Sequence, residues 1–202
     1  MAEKPVRLVI DDRLAFLELV SPPGNVMNAA FFESFERFAA TIAGLDLDGM
    51  IVRGAGRHFS SGADLDQLIG QLRQAAPSRS LARLKESHTA FDVLAHVTFP
   101  VVAAVRGCCL GAGLELALAC RYRVAEPHAV FALPEATFGL IPGCGGTIRL
   151  PRLIGAGKAI ELALSGRMML ADEARACGLV DLVVEKNAVM ETAKTIIKKN
   201  VR

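Results

Sequence analysis

The sequence predicts a single α/β domain, and three observations carry that reading. Short apolar, β-branched runs alternate with segments of helical period along the chain. Val101-Val102-Ala103-Ala104-Val105 is an unbroken apolar run, as suits a strand buried on both faces. Glycine turns and an apolar helical stretch follow it, so residues 101 to 120 read as strand, glycine turn, helix.

In order, Val6 to Ile10 and Leu14 to Val20 flank the turn signal Asp11-Asp12-Arg13 and predict a hairpin, which Pro22-Pro23-Gly24-Asn25 stops. Phe31, Phe35, Phe38, Ala39 and Ile42 recur at helical spacing, and Gly44 ends that helix. Met50 to Val52 is a buried strand closed by Gly54-Ala55-Gly56. The small-residue loop His58 to Asp64 leads into a helical segment, and the polar stretch 70 to 88, with Pro77-Ser78-Arg79-Ser80, reads as mobile. A helix through Phe91, Leu94 and Val97 precedes Pro100. Leu110 to Cys120 predicts a helix, and Tyr122 to Ala125 and Ala129 to Leu133 predict strands. Helices follow at Thr147 to Ile154, at Lys158 to Leu164 and from Ala171, then a strand at Leu179 to Val184 and a terminal helix at 188 to 200. No linker divides the chain.

At 202 residues, the chain is long enough to bury about 70% of its unfolded surface. With 52% hydrophobic residues it has ample core, and a net charge of +2 with one Tyr and no Trp argues against nucleic acid as a partner. The five cysteines show no metal or disulfide spacing and read as reduced, buried thiols, and the four histidines, His58, His88, His96 and His128, show no metal spacing. No metal site is expected. The N-terminus lacks a basic region followed by an apolar run, and no apolar stretch approaches the roughly 18 residues of a membrane span, so no membrane association and a cytoplasmic location are expected.

Two acids stand beside glycine turns. Glu115 follows Gly111-Ala112-Gly113-Leu114, and Glu135 precedes Ile141-Pro142-Gly143-Cys144-Gly145-Gly146. A helix starting after a glycine turn offers unpaired N–H groups and a partial positive charge to an anion. The small loop Gly62-Ala63-Asp64 supplies a further N–H. Two such donors would form an oxyanion hole, worth on the order of 3 to 4 kcal/mol per donor to developing charge. The plainer readings are a surface helix for Glu115 and a helix-capping acid for Glu135. Every other position from Leu110 to Cys120 is apolar or Gly, which leaves little room for a solvated face around Glu115. Cys144 has no recognisable base and is not expected to act as a nucleophile.

The blocks Phe59 to Leu65, Pro100 to Gly107, Gly111 to Ala117, Pro134-Glu135 and Gly139 to Gly146, in this order, resemble the enoyl-CoA hydratase/isomerase, or crotonase, superfamily. The resemblance runs from about residue 6 to about 185. It implies a spiral of repeated ββα units as a catalytic domain over 1–185, with a short C-terminal helical segment over 186–202. It also implies chemistry on acyl-CoA thioesters through an enolate, with coenzyme A as part of the substrate and no separate cofactor. Carried over by position, the oxyanion donors are Ala63 and Ala112, the latter where many relatives have Gly. The two carboxylates are Glu115, mainly for water, and Glu135, mainly for the C2 proton. Gly143 holds the catalytic water through its backbone. Ala63, Asp64, Leu65 and Asp66 line the CoA and acyl channel, and Val26, in the turn from Asn25 to Met27, meets the adenine end.

Both acids being present favours hydration of a 2-enoyl-CoA. The alternatives are isomerisation or thioester hydrolysis on the same oxyanion hole, or a non-catalytic acyl-CoA-binding subunit. A homo-oligomer, trimer or hexamer, is implied. Relatives carry a longer set of C-terminal helices than 185 to 202, so a more open pocket, a different oligomer and weaker CoA binding are expected. Arg106 and Arg121 stand where relatives often have Asn and Asp, with no functional account of either.

Overall fold

The computed structural model describes residues 4–21, 23–42, 44–74 and 89–201. β1 (Val6–Asp11) and β2 (Leu14–Leu19) form the expected hairpin, paired from Val6 with Leu19 to Asp11 with Leu14. Asp12 makes the tight turn at φ +55°, a backbone that Asp tolerates better than most residues. From β2 the sheet grows in parallel through β3 (Gly49–Gly54), β4 (Val101–Val105), β6 (Tyr122–Ala125) and β9 (Leu182–Val183). A second sheet of three short strands, β5 (Cys108–Leu110), β7 (Val130–Ala132) and β8 (Met169–Leu170), stands beside it.

The chain passes repeatedly from the first sheet to the second and then into a helix. β4 runs into β5 and then α4 (Ala112–Ala119), while β6 runs into β7 and then a 3-10 turn (Pro134–Phe138) and α5 (Gly146–Ile154). That repetition is the ββα spiral.

Both faces of the six-stranded sheet are covered, which is why β4 is apolar at every position and wholly buried. On one face Leu17, Leu19, Met50, Val52, Val101 and Ala103 pack under α1 (Ala29–Ile42). Phe31, Phe35 and Phe38 of α1 join Phe91 there, with the Phe35 and Phe91 rings edge to face at 5.1 Å. On the other face Ile51, Val102, Ala104 and Val124 pack against Val189, Ala193 and Ile197 of the last helix, α8 (Val189–Asn200). The remaining helices are α2 (Leu65–Gln74), α3 (Asp92–His96), α6 (Ala156–Ser165) and α7 (Ala171–Ala176). The flank near α5 and α6 leaves Ile141, Ile160, Leu164, Met168 and Leu170 exposed.

Three expectations are corrected. The helix expected from Leu110 starts at Ala112, because Cys108–Leu110 is a strand whose Leu110 N–H donates to Ser60 O at 3.0 Å. The strand expected over Leu179 to Val184 contracts to Leu182–Val183, because the Leu179 and Val180 N–H groups are drawn back to Ala174 O at the end of α7. Not all of the thiols are buried: Cys109, Cys120 and Cys144 are, but Cys108 and Cys177 are only half-buried. The polar stretch with Pro77 to Ser80 lies outside the described residues. No helix among the described residues is long and apolar enough to cross a membrane.

Candidate active site

The loop after β3 is fixed before it reaches the site. Buried Asn25, at φ +52°, donates through Nδ2 to Ala55 O and His58 O at 2.9 and 2.8 Å and accepts from Ser21 N through Oδ1. Ser60 donates to Asn25 O at 2.8 Å and accepts from Gly62 N at 3.1 Å. Its backbone pairs with β5, Ser60 N to Cys108 O at 3.0 Å. Gly113 fits because Ser60 is adjacent: a Cβ there would lie 2.7 Å from Ser60 Cβ.

That clamp seats the loop carrying Ala63 against the start of α4, which carries Ala112. Met27 bridges Ala63, with Met27 N donating to Gly62 O at 2.9 Å and Asp64 N to Met27 O at 3.1 Å, so the Ala63 N–H faces away from Met27. Gly62, at φ +93°, lies against α4, where a Cβ would sit 3.4 Å from the Ala112 nitrogen. The first hydrogen bond of α4 is Glu115 N to Gly111 O at 3.0 Å, so the Ala112 N–H has no acceptor within its helix.

Glu115 projects from the first turn of α4 and is 1% exposed. Its Oε1 accepts from Cys144 N at 2.8 Å and Gly146 N at 2.7 Å, both on the glycine turn before α5. Gly146 leaves the carboxylate room, since a Cβ would lie 2.9 Å from that oxygen. The surface-helix reading fails because every residue of α4 is buried.

Glu135 sits in the 3-10 turn, with Oε1 3.1 Å from where a Cβ on Gly111 would stand. Gly111 is held at φ +51°, which together with that contact calls for glycine. Glu135 Oε2 is buried and takes no hydrogen bond. Burial, with the nearby charge of Glu115, pushes the carboxyl up to about 7. The Cys144 thiol is driven well above its ordinary range by burial and by both carboxylates, so a thiolate nucleophile is disfavoured and the three groups lie close together.

A scan against family models matches residues 11–202 to enoyl-CoA hydratase/isomerase. The chain belongs to this family. It is 38% identical over 191 residues to the fatty acid oxidation complex subunit alpha of Shewanella loihica, covering 91% of this chain but only 26% of that protein's length. Among solved structures, the enoyl-CoA hydratase of Bacillus anthracis is similar over 96% of this chain and 76% of its own, at 33% identity and a TM-score of 0.86. DspI of Pseudomonas aeruginosa is similar over 98% and 80%, at 30% identity and a TM-score of 0.87.

Of the other residues expected to matter in this crotonase fold, Gly143 precedes Cys144 on the turn that holds Glu115, and Val26 precedes Met27 beside Ala63. Asp64 is occupied locally: its Oδ1 accepts from Gln67 N at 3.0 Å and caps α2. Leu65 opens α2 half-buried, and Asp66 is exposed.

Sequence reasoning missed Arg149. Its Nη1 donates to Cys144 O at 2.8 Å and its other terminal nitrogen pairs with Asp92 of α3. It thus grips the turn whose N–H groups hold Glu115. The guanidinium covers Gly145, where a side chain would collide with it. The signal available was an Arg three residues after the double glycine Gly145-Gly146, which also suits an ordinary helix surface.

Proposed function

We propose that this crotonase hydrates a 2-enoyl-CoA thioester. The observation that carries the reading is the pairing of a carboxylate held by two backbone N–H groups with a half-buried carboxyl, one oxygen of which takes no hydrogen bond, raised to about 7. One proton acceptor and one proton donor are what addition of water through an enolate requires.

In this scheme Glu115 accepts a proton from water as its oxygen bonds to C3. The alkene electrons move onto the thioester oxygen, where the Ala63 and Ala112 N–H groups meet the charge. The enolate then collapses as Glu135 gives its proton to C2. One water is added, Glu115 ends protonated and Glu135 ionised, and proton transfer between them or through solvent resets the pair. Coenzyme A enters only as part of the substrate, with Val26 and the Ala63 to Asp66 stretch lining its channel and Gly143 beside the water. The exposed apolar flank around Leu164 and Leu170 supports a homo-oligomeric assembly, which light scattering measures.

The test is loss of enoyl absorbance with crotonyl-CoA, together with the product mass. A product heavier by one water, formed at least about a hundredfold more slowly by Glu115→Gln, is expected. Product of unchanged mass would assign isomerisation, and free coenzyme A would assign thioester hydrolysis. Acyl-CoA binding without turnover of any enoyl-CoA would leave a binding subunit.

A further inference from the structure

On the α8 face of the large sheet, cross-strand register aligns Arg7 with Glu18, Glu18 with Arg53, and Arg53 with Ala104. Glu18 is 5% exposed and both its oxygens are engaged, Oε2 by Arg7 Nε at 2.6 Å and Oε1 by Arg53 Nε at 2.8 Å. Burial pushes this carboxyl up, but the two guanidiniums outweigh it and hold it below its ordinary value. Glu18 is therefore an ionised group with its charge already shared between two cations.

The row ends at Ala104, whose methyl leaves the floor open. A cavity of about 230 Å³ lies there, walled by Arg53, Arg106 and the turn Gly54–Gly56 and roofed by Lys186 and Met190 at the approach to α8. Arg106 is anchored by Nη2 to Gly56 O at 2.5 Å, which leaves its other guanidinium nitrogens free to donate. Neither Arg106 nor Lys186 has an ion-pair partner among the described residues. The cavity thus presents Arg106 and Lys186 as cations without an ion pair, beside an Arg7–Glu18–Arg53 cluster that carries one further net positive charge.

None of Ala63, Ala112, Glu115, Glu135 or Gly143 lines this space. Ala63 and Ala112 belong to the other apolar cluster.

We infer that this cavity is a second ligand site that takes a phosphate-type oxyanion, held by the free donors of Arg53 and Arg106 with Lys186 at the rim. Arg106 offers Nε and Nη1, Arg53 keeps Nη1 beyond the Nε and Nη2 donors committed to Glu18, and Lys186 adds an ammonium, a donor set that suits the several oxygens of a tetrahedral dianion better than the two of a single carboxylate. At about 30 Å³ per water, the volume exceeds a bare phosphate and leaves room for a short organic group esterified to it.

Calorimetry on the whole purified chain in phosphate-free buffer tests this, with inorganic phosphate and glycerol 3-phosphate as probes. Saturable binding of one equivalent is expected, weakened about tenfold or more in Arg106→Met and in Lys186→Met. Both substitutions lie at solvent-accessible positions outside the hydrophobic core, and turnover of crotonyl-CoA by the variants should match the parent. Tighter binding of the ester would assign a phosphorylated metabolite as the occupant, and equal binding the free ion. No saturable heat with either probe up to about 10 mM, or binding that both variants retain, overturns the proposal. So does displacement of phosphate by coenzyme A, which would make the cavity part of the thioester site. Because the readout is phosphate binding, it stands or fails independently of hydratase activity.

Discussion

Glu115 and Glu135 lie close enough to feel each other's charge, yet the backbone treats them oppositely. The turn before α5 aims two N–H groups at Glu115, so its negative charge is solvated by protein. The 3-10 turn aims nothing at Glu135 Oε2, and burial raises its carboxyl to about 7, so that it still carries its proton in part at neutral pH. The difference lies in main-chain dipoles around two identical side chains. In the proposed mechanism this difference separates the base, Glu115, from the acid, Glu135.

The largest test of that contrast is amide substitution. Glu115→Gln and Glu135→Gln should each lower kcat by at least about a hundredfold for enoyl-CoA hydration, measured by absorbance. They should differ in pH response. With Glu135 as proton donor, the parent's hydration rate falls as pH rises through about 7, and Glu115→Gln keeps that limb in its residual activity while Glu135→Gln loses it. A limb that persists in Glu135→Gln would assign the titration elsewhere.

Next in size is Gly146→Ala. Its Cβ would stand 2.9 Å from Glu115 Oε1, so the carboxylate must move off its donors. A loss of about thirtyfold in kcat is expected, with KM changed less; an equal loss in Gly157→Ala, where a Cβ meets open space, would refute a site-specific effect.

Arg149→Met should act more weakly, about tenfold in kcat, because it loosens the turn and leaves the N–H groups in place. Recovery of most of that loss by Arg149→Lys would show that the single bond to Cys144 O suffices, whereas a change confined to KM would refute positioning.

The smallest effect is on stability. Glu135 ionises near its ordinary 4.5 in the unfolded chain and at about 7 when folded, so between these values the unfolded state binds fewer protons. Its contribution is therefore full below 4.5 and is lost as pH rises through about 7. Denaturant melts across this range should fall less steeply with pH in Glu135→Gln, and parallel curves would refute the assignment.

Where neighbours in sequence decide the structure, the sequence was legible. The two-residue turn at Asp12-Arg13 and the uniform apolarity of Val101 to Val105 led to β1, β2 and β4 within a residue or so. The burial of Glu115 was legible because a lone charge in an apolar helix demands partners. Those partners, the N–H groups of Cys144 and Gly146, were not legible, since backbone donors leave no trace in side-chain type. β5 was absorbed into the helix behind it because Cys108–Leu110 is as apolar as α4, and only pairing with Ser60 and β7 tells them apart. Arg121, unexplained in sequence, lies against the ring of Tyr122 at 5.8 Å. Buried Arg123 passed unnoticed, although its guanidinium donates to Leu179 O and Cys120 O at 2.7 and 2.6 Å and ties β6 to the approach to β9.

The bridge between Ser60 and β5 has a kinetic consequence. Ala63 reaches Ala112 only after a segment near residue 60 has paired with one near 109, and Glu115 is held only once the turn at 144 to 146 has docked. Such closures across long stretches of chain are slow compared with helix formation or with closing the β1–β2 hairpin. During refolding, helical signal should therefore return well ahead of the proposed hydratase turnover, which would serve as a clock for the last non-local contacts to form.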